Sequence, residues 1–166
     1  GWYQPEFDAS GVPYNQRGEV EEEEIRLLKL FWSKSDVNFR GKHFKAKNLS
    51  INPKPLQKLG PKIWIGGGVK KTFKRIANYG DGWLVWSPTL EAFSHGINEI
   101  RKFCKAIGRD ASEVQFAADF LACIKKDGEL ARKEAGRMNL REEESVIGNP
   151  EECAERIREY VRRGAN

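Results

Sequence analysis

The residues of this chain most suited to chemistry are three consecutive glycines, Gly66, Gly67 and Gly68. They follow a short apolar run at residues 63–65 and precede a pattern typical of an amphipathic helix. Glycines at the end of a strand let the backbone come close to a ligand, and the helix after them directs its first free N–H groups at that ligand. Because these groups and the helix dipole favour an anion, the glycines and the first turn of the helix form a candidate phosphate cradle.

The surroundings of the glycines make this prediction more specific than the glycine run alone. Residues 62–83 hold a strand, the glycines, a helix and the start of a second strand, which is the size of a parallel βαβ repeat. Two cations, Lys70 and Lys71, occupy the first turn of the helix, where they oppose its dipole. A bound anion would relieve this conflict, although the two lysines equally fit an ordinary solvated helix start.

Apolar spacing predicts the elements that hold the cradle. The stripe on the helix after the glycines is formed by Val69, Phe73, Ile76 and Ala77. Its basic residues, Arg75 among them, are expected on the other faces. A continuous apolar run at residues 82–86 predicts a strand that is buried on both faces, as parallel strands commonly are.

Two further βα repeats follow along the chain. Apolar residues recur at spacings of 3 and 4 over residues 90–107 and predict a long helix. Residues 113–124 predict a third strand, and residues 125–144 an irregular helix. A last helix begins with Asn149 as its N-cap and Pro150 in its first turn.

The N-terminal third shows different patterns. Residues 1–18 are rich in glycine and proline without a period and predict a long loop. A helix is predicted for residues 19–32, and its acidic run at residues 21–24 favours a solvated helix start over a metal site. Alternation over residues 37–51 predicts a hairpin. His43 lies in this hairpin without neighbours at metal-ligand spacing, and we expect a structural or exposed side chain.

The composition is typical of a globular chain. Of 166 residues, 39% are hydrophobic and 32% are charged. The net charge is +5, but the 29 basic residues are interspersed with 24 acidic ones, which argues against a nucleic-acid surface. No apolar run approaches the roughly 20 residues of a membrane span. The three cysteines, far apart and without metal spacing, are typical of buried reduced thiols in a cytoplasmic protein.

The order of the predicted elements indicates an α/β fold with a parallel sheet, because each strand is followed by a helix. A doubly wound sheet and a (β/α)8 barrel both fit this order. A barrel needs about 250 residues. This chain begins without methionine and stops directly after a helix, so we expect it to be an excerpt of a larger fold.

Short motifs spread along the chain also resemble one family. In order, they include Gly11-Val12-Pro13, Phe39-Arg40-Gly41-Lys42-His43-Phe44, Pro53-Lys54-Pro55-Leu56-Gln57, Pro61-Lys62-Ile63-Trp64-Ile65-Gly66-Gly67, Gly80-Asp81-Gly82-Trp83 and Gly148-Asn149-Pro150-Glu151-Glu152. Together they resemble the bacterial luciferase-like monooxygenases and related oxidoreductases, which use a flavin or the deazaflavin F420. The conserved order of these motifs along the family pattern is far more specific than any single motif.

The resemblance implies a fold. The family has a TIM barrel, and this chain would be a partial barrel that holds roughly strands 5–7, their helices and an insertion hairpin. Residues 1–61 would form a loop, a helix and the hairpin, and residues 62–166 the βα repeats. The whole would be a single luciferase-like domain that is incomplete at both ends.

The resemblance also implies FMN or F420 as the cofactor. By position in the family pattern, the cofactor phosphate would contact Gly67, Gly68, Val69 and the hydroxyl of Thr72. Family members often have serine or threonine directly after the glycine pair, so here backbone N–H groups would supply most of the contacts. Trp86, at the end of a strand, would either wall the substrate pocket or belong to the core. No catalytic residue and no metal is assigned, because catalytic residues of the family often come from the first half of the barrel.

The implied function is an oxidoreductase acting on a small organic substrate, either with reduced FMN and O₂ or by hydride transfer with F420. The expected partners are the substrate, a flavin or F420 reductase and further copies of the full-length chain, with neither nucleic acid nor membrane. The 166 residues alone are expected to be inactive. Two alternatives remain: another phosphate-binding barrel enzyme, such as one acting on a sugar phosphate, and a non-enzymatic cofactor-binding or interaction member of the family.

Overall fold

The computed structural model describes every residue from Gly1 to Asn166, and the chain divides into two compact units. The first unit, Gly1–Ile63, contains two helices and a hairpin. Its elements are α1 (Gln4–Ser10), a 3-10 turn (Tyr14–Gln16), α2 (Arg17–Ser33), β1 (Val37–Arg40) and β2 (Lys45–Leu49). None of the helices of the chain is both long and apolar enough to cross a membrane.

The long loop predicted for residues 1–18 is wrong at α1. This helix has Pro5 in its first turn and Gly11, in the left-handed conformation, at its end. Contacts from beyond the helix fix it, since the rings of Phe7 and Tyr14 meet edge to face at 5.5 Å. The Arg17 guanidinium donates to the Tyr14 carbonyl at 2.6 Å. Seven residues are too few for a visible period, so such a helix is specified by these contacts.

The hairpin is confirmed, and it exposes an error about the acidic run of α2. β1 and β2 pair antiparallel, and the loop between them directs three backbone N–H groups at the Glu23 carboxylate. Lys42, His43 and Phe44 donate to it at 2.6, 2.9 and 3.1 Å. Partial desolvation would raise the pKa of Glu23, but these three donors hold it below its usual value. Glu23 is therefore an anchor for the hairpin and not merely a solvated side chain.

The second unit, Trp64–Asn166, contains the βα repeats. Its elements are β3 (Trp64–Gly66), α3 (Lys70–Tyr79), β4 (Gly82–Trp86), α4 (Leu90–Ala106), β5 (Gln115–Asp119), β6 (Ala122–Ile124), α5 (Gly128–Arg137), β7 (Val146–Gly148) and α6 (Pro150–Arg163). β3, β4 and β5 form a parallel sheet in that order, and β6 and β7 form a second, two-stranded parallel sheet. The predicted parallel α/β architecture is confirmed.

The third predicted strand is two strands in two sheets. The chain leaves the first sheet after Asp119 and enters the second at Ala122. Phe120 lies in the break, where its ring packs on that of Tyr160 with centroids 4.6 Å apart. The partner of β6 is β7, which the sequence patterns did not predict, because a three-residue strand carries no period. The predicted irregular helix correspondingly ends early, at Arg137.

Helices cover one face of the three-stranded sheet and form the core there. The Trp83 indole points to this side and stacks on the Phe93 ring at 5.5 Å, while the Phe73 ring meets it edge-on at 5.6 Å. The close approach requires a glycine in α4, since a Cβ at Gly96 would overlap the Trp83 ring. Arg75, predicted on an outer face of α3, is instead only 9% exposed.

The other face of the same sheet is open. Trp64, Leu84 and Trp86 project from it with 37%, 42% and 62% of their surfaces exposed. The prediction that β4 is buried on both faces is therefore wrong for this chain. The apolar run of β4 reflects a face that no helix of the unit covers.

Candidate cofactor-binding site

The site is positioned by the end of β3 and the start of α3. Gly67 has φ near +112°, a backbone conformation that glycine adopts without strain. Its carbonyl accepts a hydrogen bond of 2.8 Å from the Trp83 indole N–H. The turn between strand and helix is thus fastened to the aromatic core beneath it.

The first turn of α3 leaves backbone donors without partners. Val69 is the N-cap residue, with extended dihedral angles and no side-chain oxygen to cap the helix. Its carbonyl accepts from the N–H groups of Thr72 and Phe73 at 2.8 and 3.1 Å. The N–H groups of Gly68, Val69, Lys70 and Lys71 donate to no group of the chain. Together with the helix dipole, these donors make a local environment that favours an anion.

Charge in this turn adds to the same preference. The first turn of α3 contains no acidic residue, and its first two residues are Lys70 and Lys71. Both lysine side chains are exposed and form no ion pair within the chain. The positive end of the helix dipole is therefore accompanied by two further positive charges, and the first turn itself supplies no acid to balance them.

Thr72 brings a hydroxyl to the same turn. The residue is only 6% exposed, and its Oγ1 lies 3.2 Å from the position a Cβ on Gly67 would occupy. This hydroxyl has no hydrogen-bond partner in the chain, yet it is not sealed from solvent. A largely buried polar group without a partner is costly, so an acceptor supplied by a ligand would stabilise it.

Space above the turn is open. A Cβ placed on Gly68 meets no heavy atom within 4 Å, and Val69 is 63% exposed. The four residues predicted to bind the phosphate, Gly67, Gly68, Val69 and Thr72, thus lie together at one helix start. Two of them offer free amides, one offers a hydroxyl, and Gly67 gives the turn its conformation.

The ends of β4 and β5 lie at the same edge of the sheet as the cradle, because the three strands are parallel. Trp86 ends β4, and 62% of its surface is exposed there. The sequence analysis missed two polar residues at this edge, Ser87 and Asp119. Asp119 ends β5 as the partner of Trp86, and its carbonyl accepts from the Ser87 N–H at 2.7 Å. A charged residue directly after the apolar run of β5 is the signal that could have revealed it.

The two histidines have different surroundings, and neither belongs to a metal site. His43 Nε2 is 3.5 Å from a Glu19 carboxylate oxygen, and the side chain is 14% exposed. His95 is exposed on α4. No group of three or more histidine, cysteine or acidic side chains is arranged to hold a metal ion. The structural interpretation of the histidines therefore agrees with their surroundings.

The cysteines are buried and unpaired. Cys104, Cys123 and Cys153 are free thiols with at most 7% of their surfaces exposed. Burial raises the pKa of Cys104 and of Cys153, which keeps both thiols protonated and weakly nucleophilic. The prediction that the three cysteines are buried and reduced is confirmed.

Comparison with known proteins identifies the family to which this chain belongs. The family model of the luciferase-like monooxygenases matches residues 1–144, and the chain is a member of that family. Among curated relatives, an FMNH2-dependent dimethylsulfone monooxygenase of Pseudomonas fluorescens (strain Pf0-1) is 27% identical over 198 aligned positions, which cover 95% of this chain and 54% of the relative. One from Pseudomonas putida is 29% identical over 111 positions, covering 65% and 31% respectively.

Solved structures show the fold. An F420-dependent secondary alcohol dehydrogenase in complex with an F420-acetone adduct superposes with a TM-score of 0.80 at 17% identity, covering 96% of this chain and 58% of that one. The coenzyme F420-dependent tetrahydromethanopterin reductase from Methanopyrus kandleri gives 0.75 at 16% identity, covering 98% and 64%. The chain therefore has the α/β fold of a partial luciferase-like TIM barrel. Reduced FMN and F420, on which these proteins depend, are the two cofactors that the sequence resemblance implies.

Proposed function

We propose that this chain forms the phosphate-binding part of a flavin- or F420-dependent oxidoreductase. The observation that carries the proposal is the start of α3, where unpaired backbone N–H groups, a largely buried hydroxyl and two lysines meet in a helical turn that contains no acidic residue. Membership of the luciferase-like family supplies the class of ligand. The chain spans about half the length of the Pseudomonas fluorescens relative, so the activity is proposed for the full-length polypeptide.

In this proposal, the residues of the cradle bind the phosphate and Trp83 holds them in place. The N–H groups of Gly68 and Val69 and those of the first helical turn donate to phosphate oxygens, and the Thr72 hydroxyl donates a further hydrogen bond. Trp83 holds the turn in place through the Gly67 carbonyl. Lys70 and Lys71 contribute longer-range attraction, which is screened by salt because both are exposed.

The remaining edge of the sheet is proposed to meet the reacting parts of cofactor and substrate. When bound, the cofactor supplies the redox chemistry, either oxygenation of a small organic substrate by O₂ with reduced FMN or hydride transfer with F420. Trp86 forms part of the substrate pocket, because its ring is exposed at the strand ends, where active sites of such barrels lie. The chain's contribution is to bind, to orient and to exclude water from this edge.

The relatives support the substrate class and leave its identity open. Their names specify dimethylsulfone and a secondary alcohol, both small organic molecules, as the compounds on which those proteins act. For the full-length form of this chain we propose a small organic substrate, a flavin or F420 reductase as a partner and assembly into homo-oligomers. A cytoplasmic location is proposed on the reduced state of the three buried cysteines.

Replacement of Gly68 by leucine tests the cradle. The site has room for a side chain within the fold, so Gly68→Leu should leave the protein folded while it covers the free amides. We expect FMN or F420 to bind at least about tenfold more weakly, because a bulky group then occupies the space of the phosphate. The measurement is a fluorescence titration of the full-length protein with each cofactor.

Gly136→Leu is the matched control. Gly136 lies in α5, and a Cβ there also meets no heavy atom within 4 Å. This variant should bind the cofactor as the parent does. Equal cofactor affinity in the Gly68→Leu variant and the parent would contradict the proposal. Binding of a sugar phosphate, without binding of FMN or F420, would favour the other class of phosphate-binding barrel enzyme.

A further inference from the structure

We propose that Asp119 and Trp86 recognise a positively charged nitrogen group of the substrate. The inference rests on the proposed function, because it assumes that this edge of the sheet faces the substrate. It adds a property of the substrate, namely a positive charge close to the part that reacts. Two residues on neighbouring strands provide this chemistry.

The two side chains leave the sheet next to each other. Trp86 and Asp119 are partner positions in the parallel pairing of β4 with β5, so both project from the same face. This is the open face, on which both residues are exposed. β4 separates β3 from β5, which places Asp119 roughly 10 Å across the sheet from the cradle, at the usual spacing of strands.

Asp119 is the single titratable group of that face. The strand residues that share the face are Trp64, Gly66, Gly82, Leu84, Trp86, Gln115, Ala117 and Asp119. The carboxylate of Asp119 forms no hydrogen bond or ion pair within the chain. An otherwise apolar surface thus carries one unpaired negative charge at its functional edge.

The backbone holds both residues firmly. Ser87, which follows Trp86, has φ near +41°, and its N–H donates to the Asp119 carbonyl at 2.7 Å. The next carbonyl, of Pro88, accepts a hydrogen bond of 2.6 Å from the buried Tyr160 hydroxyl. The turn after β4 is therefore bonded on both sides, and little further ordering is needed when a ligand binds.

A carboxylate beside an exposed indole selects for cations. The carboxylate attracts positive charge directly, and the indole face attracts it through the ring quadrupole. The same pair disfavours anions, whereas the cradle on β3 and α3 favours them. One edge of the sheet would then direct the phosphate of the cofactor and the cationic end of the substrate to opposite sides.

Two probes of nearly identical shape test this inference. Choline carries a trimethylammonium group, and 3,3-dimethyl-1-butanol replaces that group by a neutral tert-butyl group. We expect the full-length protein to bind choline about tenfold more tightly than the alcohol, since an exposed ion pair and an exposed cation–π contact each add a few-fold. Dissociation constants follow from saturation-transfer NMR at low ionic strength.

Substitutions of Asp119 and Trp86 test whether these two residues cause the preference for choline. Asp119→Asn should reduce choline affinity several-fold and leave affinity for the alcohol unchanged, while Trp86→Leu should weaken both. Glu129→Gln removes another exposed carboxylate of the same unit and should change neither. Equal affinities for the two probes in the parent, or an Asp119→Asn variant that retains the preference for choline, would overturn the inference.

A parallel titration of the same samples with FMN and F420 separates the two proposals. Cofactor binding without a preference for choline would reject the cation site and leave the proposed function in place. A preference for choline that depends on Asp119, in a protein that binds neither cofactor, would support the cation site and reject the proposed function.

Discussion

Two helices of the second unit begin in similar surroundings, but their N-termini are capped differently. Both α3 and α6 follow a short parallel strand that ends in glycine. At α6, the Asn149 side chain accepts from the Glu152 N–H at 3.0 Å, and the Glu152 carboxylate accepts from the Asn149 N–H at 2.7 Å. At α3, the N-cap is Val69, which has no side-chain acceptor, and lysines replace the acids.

The first backbone N–H groups of α6 are hydrogen-bonded within the chain, whereas those of α3 are free to bind a ligand. α6 satisfies its first donors with its own capping box and with the acids Glu151 and Glu152, so it is stabilised without a ligand. α3 has neither a capping side chain nor an acid in its first turn, and its free N–H groups lie at the edge of the sheet where the strands end. A capping residue typically contributes about 1 kcal/mol, which α3 gives up in the free protein. Substitutions at the two N-cap residues, Val69 and Asn149, test this difference.

The largest effect is expected from Val69→Asp, which gives α3 the acceptor it lacks. The new carboxylate would cap the free N–H groups and repel a phosphate from them. Because like charges in contact cost several kcal/mol, cofactor affinity should fall on the order of a hundredfold. The measurement is a titration of the full-length protein with FMN and F420.

Val69→Asn is the matched control, since it offers a cap without a charge. It should weaken cofactor binding less than Val69→Asp does. If both variants bind the cofactor as the parent does, the amides of α3 are not the phosphate site.

Asn149→Ala should have an intermediate effect, on stability alone. The substitution removes the acceptor for the Glu152 N–H, and loss of such a cap costs about 1 kcal/mol. Hydrogen exchange at the first turn of α6 should accelerate about fivefold, as that energy implies for local opening. Val69→Ala, which removes no cap, should leave exchange in α3 unchanged, and an equal acceleration in both helices would remove the contrast between them.

The smallest effect is a pH dependence at the start of α6 that the start of α3 lacks. The backbone N–H of Asn149 lowers the pKa of Glu152, and Arg132 lowers it further, against an opposing contribution from desolvation. A lowered folded-state pKa means that the stabilisation is complete above the ordinary glutamate value, about 4.3, and is lost as pH falls through the folded value. The Asn149 amide resonance should titrate in this acidic range, while those of Lys70 and Lys71 should not. A Lys70 or Lys71 amide that follows the same titration would show an unrecognised acid at α3.

Local patterns were sufficient for the elements that carry the cradle. β4 has the bounds that its apolar run predicts, and α6 begins at the Asn149-Pro150 pair that its capping chemistry predicts. The strand, glycines and helix at the cradle are likewise adjacent in the sequence, so their order alone predicted the turn between β3 and α3. Each of these features depends on residues within a few positions of one another.

Features that depend on distant partners were missed. The Phe7 ring of α1 packs on Tyr14, which lies beyond the helix, and Glu23 finds its three donors some twenty positions away in the hairpin. β7 exists because it pairs with β6. Asp119 escaped notice for the same reason, since the end of β5 is set by pairing with β4 and by the packing of Phe120. Periodicity cannot report such contacts.

The contact between Gly96 and Trp83 changes how substitutions in α4 should be interpreted. Any side chain at Gly96 displaces the indole above it, and the indole holds the Gly67 carbonyl through its N–H. A mutational survey scored by cofactor retention would consequently flag Gly96 together with the glycines of the cradle, although Gly96 lies within α4 and packs against Trp83. A substitution whose direct effect is on core packing would then be observed as a loss of cofactor binding.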